Sequence, residues 1–83
     1  MKESVEVNGH LIELIYSIWS GKEIIKYDRN IVCERRNLKT FSSINSFKVQ
    51  EAGEKIVYEV QSIAGFSQGY DIRRNGIIQA HKP

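Results

Sequence analysis

The sequence predicts an all-β protein, a single antiparallel β-sandwich of about seven to nine short strands joined by hairpins. Turn-forming pairs recur along the chain, mostly about 8 to 12 residues apart, and apolar and polar residues alternate between them. The only proline is Pro83, the last residue, so no predicted strand is interrupted. With 83 residues, the chain has room for one domain, which we place at residues 1–83.

The turn signals divide the chain into strands. Two of them, Asn8-Gly9 and Asn75-Gly76, suit the positive φ angles of a type I′ hairpin turn. The others are Ser20-Gly21, Asp28-Arg29-Asn30, Ala52-Gly53 and Ala64-Gly65. The predicted strands between them are 3–7, 10–19, 22–27, 31–36, 39–42, 45–51, 54–62, 68–74 and 77–81.

Alternation assigns the faces of these strands, because successive Cβ atoms of a strand point to opposite sides. In "SFKVQE", for example, Phe47 and Val49 face one side, and Ser46, Lys48 and Gln50 face the other. The same argument predicts a core of Val5, Val7, Ile12, Leu14, Ile25, Phe47, Val49, Ile56, Tyr58, Val60, Tyr70 and Ile72.

Two segments are less regular. The run "HLIELIYSIW" at 10–19 is apolar on both sides, so a helix is the alternative. Its β-branched and aromatic residues and the hairpin turn just before it favour a strand. The polar segment 37–45, in which Phe41 and Ile44 are the apolar anchors, is either a short strand or a loop that crosses between sheets.

The composition is that of an ordinary globular domain, with 41% hydrophobic and 27% charged residues and a formal net charge of +2. So small an excess does not by itself imply a nucleic acid or a membrane as partner. No apolar run approaches the ~18 residues that a membrane span needs. Cys33 is the only cysteine, and the first residues do not resemble a signal peptide, so we expect a cytoplasmic protein.

Four stretches follow one another along the chain: "NGHLIEL", "SGKEIIKYDRNIV", "FKV" and "IVYEVQSIAGFSQGYDIRRNGIIQ". Together they resemble the repeat unit of the Fas apoptosis inhibitory molecule family, over nearly the whole chain from Asn8 to His81. The matching residues are Ile12, Glu13, Leu14, Gly21, Lys22, Tyr27, Asp28, Phe47, Gly65, Phe66, Tyr70, Asn75 and Gly76.

The resemblance implies a compact antiparallel β-sandwich and no catalytic residue, because that family has no recognised active site. The chain also departs from the family. Asp28 is followed by Arg29 instead of glycine, and Gln68 stands where a tyrosine precedes Tyr70 by two positions. Animal members carry two such units, whereas this chain has room for one. The anti-apoptotic role of the family is therefore not carried over.

The sequence provides no group of residues for catalysis or for a cofactor. His10 and His81 are interpreted as solvent-exposed residues at strand ends, because a metal site needs three or four converging ligands. Cys33 alternates with Ile31 and is expected to pack in the core. Neither a nucleophile elbow nor a glycine-rich phosphate loop is present. We expect no enzyme activity, no metal and no cofactor.

The candidate binding residues are one tryptophan and two arginine pairs: Trp19, Arg35, Arg36, Arg73 and Arg74. If the two arginine-bearing strands lie in one sheet, their basic side chains could form a common face. Each pair places at most one arginine on a given face, so solvated strand-end residues are the alternative. Trp19 is either a cap over one end of the core or an exposed anchor for a partner.

These observations predict a small non-enzymatic binding or protein-interaction module. Its partner would be another protein or a second copy of itself, the latter as a weak homodimer formed through strand edges or sheet faces. The alternative is a small β-barrel that binds single-stranded nucleic acid. The lack of aromatic residues interleaved among the basic ones argues against nucleic acid. No membrane partner is expected.

Overall fold

In a computed structural model, which describes residues 2–17, 19–36, 42–63 and 69–83, every regular element is a β-strand. Eight strands are present in these ranges, within the predicted number. They are β1 (Lys2–Val7), β2 (His10–Tyr16), β3 (Lys22–Tyr27), β4 (Asn30–Arg36), β5 (Ser42–Glu51), β6 (Glu54–Ile63), β7 (Tyr70–Arg74) and β8 (Ile77–Lys82).

The strands form two four-stranded antiparallel sheets, in the orders β1-β2-β3-β4 and β5-β6-β7-β8. Within each sheet, every strand pairs with its neighbours in sequence, as expected for strands joined by short antiparallel connections. The two sheets pack against each other, with the edge of β4 beside β5 and the edge of β1 beside β8. The predicted β-sandwich is thus the observed architecture.

The core lies between the sheets and is built from inward-facing residues of both. The buried apolar residues are Val7, Ile12, Leu14, Ile25, Tyr27, Phe47, Ile56, Tyr58, Val60 and Ile72. The predicted core is confirmed, with Val5, Val49 and Tyr70 only half-buried against it. Tyr27 is the buried aromatic residue that the prediction omitted.

The strand boundaries differ from the prediction in two places. β2 ends at Tyr16, three residues before the predicted end, because the chain turns there. The Ser17 N–H donates to the Lys22 carbonyl oxygen at 3.0 Å, and the Gly21 N–H donates to the Ser17 carbonyl oxygen at 2.8 Å. The helix alternative is wrong for 10–16. β5 is continuous from Ser42, so the predicted break at 43–44 is also wrong. Residues 37–41 and the predicted Ala64-Gly65 turn lie outside the described residues.

The four described two-residue hairpin turns lie at one end of the sandwich, which we call the turn end. They are Asn8-Gly9, Asp28-Arg29, Ala52-Gly53 and Asn75-Gly76. All eight residues have positive φ angles, as a type I′ turn requires. We call the opposite end, where β2 leads into β3, the loop end.

Arg29 occupies an unfavourable backbone position in its turn. Its φ angle is +70°, and the other three turns have glycine at this position. A side chain in the left-handed region costs about 1–2 kcal/mol. We therefore expect Arg29→Gly to raise the free energy of unfolding by about 1 kcal/mol, measured by urea denaturation.

The reverse change at a matched turn provides the control. Gly53 has a φ angle of +81°, and no atom lies within 4 Å of the position that a Cβ would occupy. Gly53→Ala should therefore destabilise the protein through its backbone conformation alone. An Arg29→Gly variant that is less stable than the parent would contradict this account.

Candidate binding site

Trp19 is the most exposed apolar side chain described. It lies in the loop between β2 and β3, and 93% of its surface is accessible to solvent. It therefore does not cap the core. Two backbone hydrogen bonds, from Ser17 to residue 22 and from residue 21 to Ser17, close this loop. Lys22 is the first residue of β3, the strand that follows. The fold thus presents an indole ring to solvent at the loop end.

Arg35 and Arg36 lie at the same end, on the last residues of β4. Lys22 pairs with Arg36 across β3 and β4, so two cationic residues are neighbours on the outer face of this sheet. Lys22 Nζ lies 2.6 Å from Glu34 Oε1. The Arg35 Nη1–H donates to the Ile44 carbonyl oxygen of β5 at 3.3 Å. These four charged side chains line an open depression of about 390 Å³.

Three of the five predicted site residues therefore lie at one end of one sheet. Together with Lys22 they make up a group at this end of the sheet that we call the loop-end patch: Trp19, Lys22, Arg35 and Arg36. Among the residues that the structure describes, three cationic groups and the carboxylate of Glu34 line its depression. An aromatic ring that is accessible to solvent and a positive charge excess suit a ligand that is both acidic and partly apolar.

Arg73 and Arg74 do not join this patch, because β7 belongs to the other sheet. The Arg73 guanidinium donates to Gln61 Oε1 at 3.3 Å and lies 3.5 Å from Asp71 Oδ2. Arg74 points inward and binds the buried carboxylate of Glu51. The two arginine pairs thus do not form the common face that a shared sheet would have allowed.

The histidines and the cysteine also lie apart from one another. His10 is half-buried at the turn end, whereas His81 is on the other sheet, where it pairs with Asp71. Cys33 is half-buried against the core, and its thiol donates to the Ser46 carbonyl oxygen at 3.4 Å. Burial raises the pKa of this thiol. Within the described ranges, no group of three or more His, Cys, Asp or Glu side chains is arranged to hold a metal ion.

A buried carboxylate at the turn end joins the two sheets. Glu51 is 4% exposed and receives hydrogen bonds from four side chains. These are Tyr27 Oη at 2.6 Å, Tyr58 Oη at 2.5 Å, Asn8 Nδ2 at 3.1 Å and Arg74 Nε at 2.9 Å. Tyr27 and Asn8 come from the first sheet, and the other three residues come from the second. We call these five residues the Glu51 cluster.

The electrostatics of the cluster favour a charged Glu51. Burial alone would raise its pKa, but the hydrogen bonds from Tyr27, Tyr58, Arg74 and Asn8 outweigh burial and lower the pKa to about 2. Burial and the bond to Glu51 raise the pKa of Tyr58 to about 12. Because its carboxylate is saturated and buried, Glu51 is suited to holding the sheets together rather than to binding a ligand.

His10 covers the outer side of the Glu51 cluster. Its ring stacks on Tyr27 with centroids 5.0 Å apart, and its Nδ1 lies 2.7 Å from Asp28 Oδ2. The hydrogen bond from His10, together with one from the Leu11 N–H, lowers the pKa of Asp28. The ring is thereby oriented with Nε2 3.9 Å from Glu51 Oε2. His10 thus lies against both Tyr27 and the carboxylate of Glu51.

Sequence reasoning missed the Glu51 cluster, although a signal for it exists. Phe47 and Val49 face inward, and the same alternation places Glu51, two residues further along, on the inward face next to the Ala52-Gly53 turn. Glu23 is a second inward-facing carboxylate by the same rule, and it accepts a hydrogen bond from Ser62 Oγ at 3.0 Å. A charged residue at an inward position predicts a buried polar contact.

Comparisons with protein-family models, with curated proteins and with solved structures find no match for this chain. The fold and the site thus define a class only: a two-sheet antiparallel β-sandwich with an exposed aromatic and cationic patch at one end. Among the residues described, no helix is both long enough and apolar enough to cross a bilayer.

Proposed function

We propose that this protein is a small non-enzymatic binding module that uses the loop-end patch to hold an acidic, partly apolar segment of a partner protein. The observation that carries the proposal is the exposure of Trp19, 93% of whose surface is open to solvent, at the same end of the sheet as a cationic depression. Tryptophan and arginine are the residues most enriched among those that dominate binding energy at protein interfaces.

The charges of the patch indicate what the segment contains. Lys22 is already paired with Glu34, whereas Arg36 has no ion pair among the described residues. A carboxylate of the partner would therefore pair with the guanidinium of Arg36, which can donate two parallel hydrogen bonds to it. An apolar side chain next to that carboxylate would cover the indole ring of Trp19.

Single-stranded nucleic acid is less well matched to the same surface. Such binders place successive bases on several aromatic rings along a basic groove. Trp19 is the one aromatic side chain that is exposed in the described part of the chain. One ring and a short cationic depression favour a compact acidic segment over an extended polynucleotide.

Trp19 is the only tryptophan of the chain, so its fluorescence reports directly on this site. We expect a short peptide of alternating Glu and Phe residues to shift the emission to shorter wavelength and to protect the indole from iodide quenching. Arg36→Ala should weaken binding by about tenfold, since a charge-assisted hydrogen bond is worth about 1.5–3 kcal/mol. Lys55→Ala, which changes an exposed residue outside the patch, is the matched control.

A thymidine oligonucleotide tested in parallel separates the two ligand classes. If the oligonucleotide binds and the peptide does not, with an affinity that falls steeply as salt increases, the nucleic-acid alternative is correct. If Arg36→Ala and Lys55→Ala weaken peptide binding equally, the loop-end patch is not the site.

A further inference from the structure

The first half of β8 presents apolar side chains to solvent at a sheet edge. Ile77 and Ile78 are 67% and 54% exposed, and Gln79 beside them is also exposed. Neighbouring residues of a strand point to opposite faces, so these two isoleucines expose apolar surface on both sides of the edge. An added strand would cover both isoleucines, because the side chains on each face of a sheet contact their cross-strand neighbours.

The backbone of this edge is unpaired on its outer side. β8 pairs with β7 on one side, and within the described ranges no backbone hydrogen bond joins it to β1 on the other. The contact with β1 is made at the loop end, where Lys82 Nζ lies 2.5 Å from Glu3 Oε1. The segment 77–80 lies at the turn end, away from that ion pair.

Charged side chains occupy part of each of the other three edge strands. β1 contains Lys2, Glu3 and Glu6; the second half of β4 contains Glu34, Arg35 and Arg36; β5 exposes Lys48. Charged side chains on an edge strand are a common protection against pairing with another chain. Residues 77–80 of β8, with the sequence IIQA, lack any charge.

β5 is further protected by β4. The Cys33 thiol and the Arg35 guanidinium of β4 donate to the carbonyl oxygens of Ser46 and Ile44 on β5. Two carbonyl oxygens that an added strand would need on β5 are thus already engaged by side chains. β8 is the edge on which two consecutive isoleucines are exposed in an uncharged segment; its ladder with β7 is irregular at Gln79, so the regular part of this segment is Ile77 and Ile78.

We infer that this edge is an interface between two copies of the chain, in which β8 pairs antiparallel with β8 of the second copy. An uncharged segment meets itself without repulsion, and antiparallel pairing about a two-fold axis uses each edge once and closes the assembly. The two β5–β8 sheets would join into one eight-stranded sheet, with Ile77 and Ile78 of each copy covered by the other.

The interface is small, because only the first half of one strand contributes to it, so the dimer is weak. It lies at the turn end, whereas the loop-end patch lies at the opposite end. Each dimer would thus leave both loop-end patches accessible. The inference does not rest on the proposed ligand, and either proposal can fail without the other.

Sedimentation of the full chain from about 10 to about 500 µM tests the dimer, since weak interfaces are populated in this range. The weight-average mass should rise toward that of two chains. Ile78→Lys places like charges close together across the two-fold axis and should raise the dissociation constant about tenfold or more. Ile78→Thr keeps a β-branched side chain in the strand and should weaken the dimer without altering the fold.

Ile31→Lys is the matched control, because Ile31 is 57% exposed on the edge of β4. It should leave the dissociation constant unchanged, and circular dichroism should show that all variants are folded. Three results would overturn the inference: a monomer at every concentration, a dimer that Ile78→Lys does not weaken, or a continuous series of larger species in place of a dimer.

Discussion

Replacing Glu51 with glutamine is expected to lower the free energy of unfolding by about 3–5 kcal/mol, the usual cost of breaking a buried ion pair by changing one partner. The amide cannot neutralise the Arg74 guanidinium, whose Nη2 lies 2.8 Å from Glu51 Oε1. Its NH₂ group would also face Tyr27 or Tyr58, both of which now donate to the carboxylate. The total free energy of unfolding of a small domain is about 5–15 kcal/mol, so this variant should be close to unfolding.

Urea denaturation of Glu51→Gln and of Glu54→Gln measures the effect. Glu54 lies across the same hairpin turn, at the first position of β6, and is exposed. Its substitution removes the same charge from the same turn without opening a buried contact, and should change stability by less than about 0.5 kcal/mol. Equal stabilities for the two variants would show that the Glu51 cluster does not hold the sheets together.

Stability is also expected to fall as the pH is lowered from about 4.5 to about 2. The pKa of Glu51 is about 2 in the folded protein and 4.5 in the absence of its partners. A lowered pKa means that the unfolded chain binds the proton first, so the contribution is complete above pH 4.5 and is lost as the pH falls through 2. This difference between the two pKa values of Glu51 corresponds to about 3 kcal/mol of folding stability. Asp28, whose pKa is lowered by His10, acts in the same direction.

Urea unfolding at a series of pH values distinguishes Glu51 from the other carboxylates. The Glu51→Gln variant should lose less stability than the parent across the same acidic window, because it has no carboxylate to protonate at this position. At alkaline pH the stability should fall as the pH rises. The pKa of Tyr58 is raised from 10 to about 12 in the folded protein. Its contribution to stability is therefore complete below pH 10 and is lost as the pH rises through 12. Parallel acid profiles for parent and variant would exclude Glu51 as the controlling group.

The Glu51 cluster and the two proposed surfaces divide the molecule by role. The cluster joins Tyr27 and Asn8 of one sheet to Glu51 of the other and stabilises the turn end from within. Trp19 at the loop end and Ile78 on the outer edge contribute little to the core, because more than half of each side chain is exposed. Substitutions at these surfaces should therefore alter binding with little effect on folding.

Part of this architecture follows from local chemistry. The Asn8-Gly9 and Asn75-Gly76 pairs determine tight hairpins because they accept positive φ angles, and a period of two determines which residues of each strand face inward. These two rules predicted the all-β class and the core without information about long-range contacts. The strand ends at Tyr16 and Ser42 were predicted poorly, because loop hydrogen bonds and sheet pairing decide where a strand stops.

The sequence alone determined that the protein is a meander of alternating strands, because turn propensity and side-chain periodicity are local properties. Only the tertiary structure decided that Arg74 is a buried partner of Glu51 while Arg36 faces solvent, since both are strand-end arginines in the sequence. The same holds for Trp19, for which the sequence left both a core cap and an exposed anchor open, and which is 93% exposed in the structure. These outcomes depend on which strands become neighbours and how the sheets stack, and residues far apart in the chain settle both.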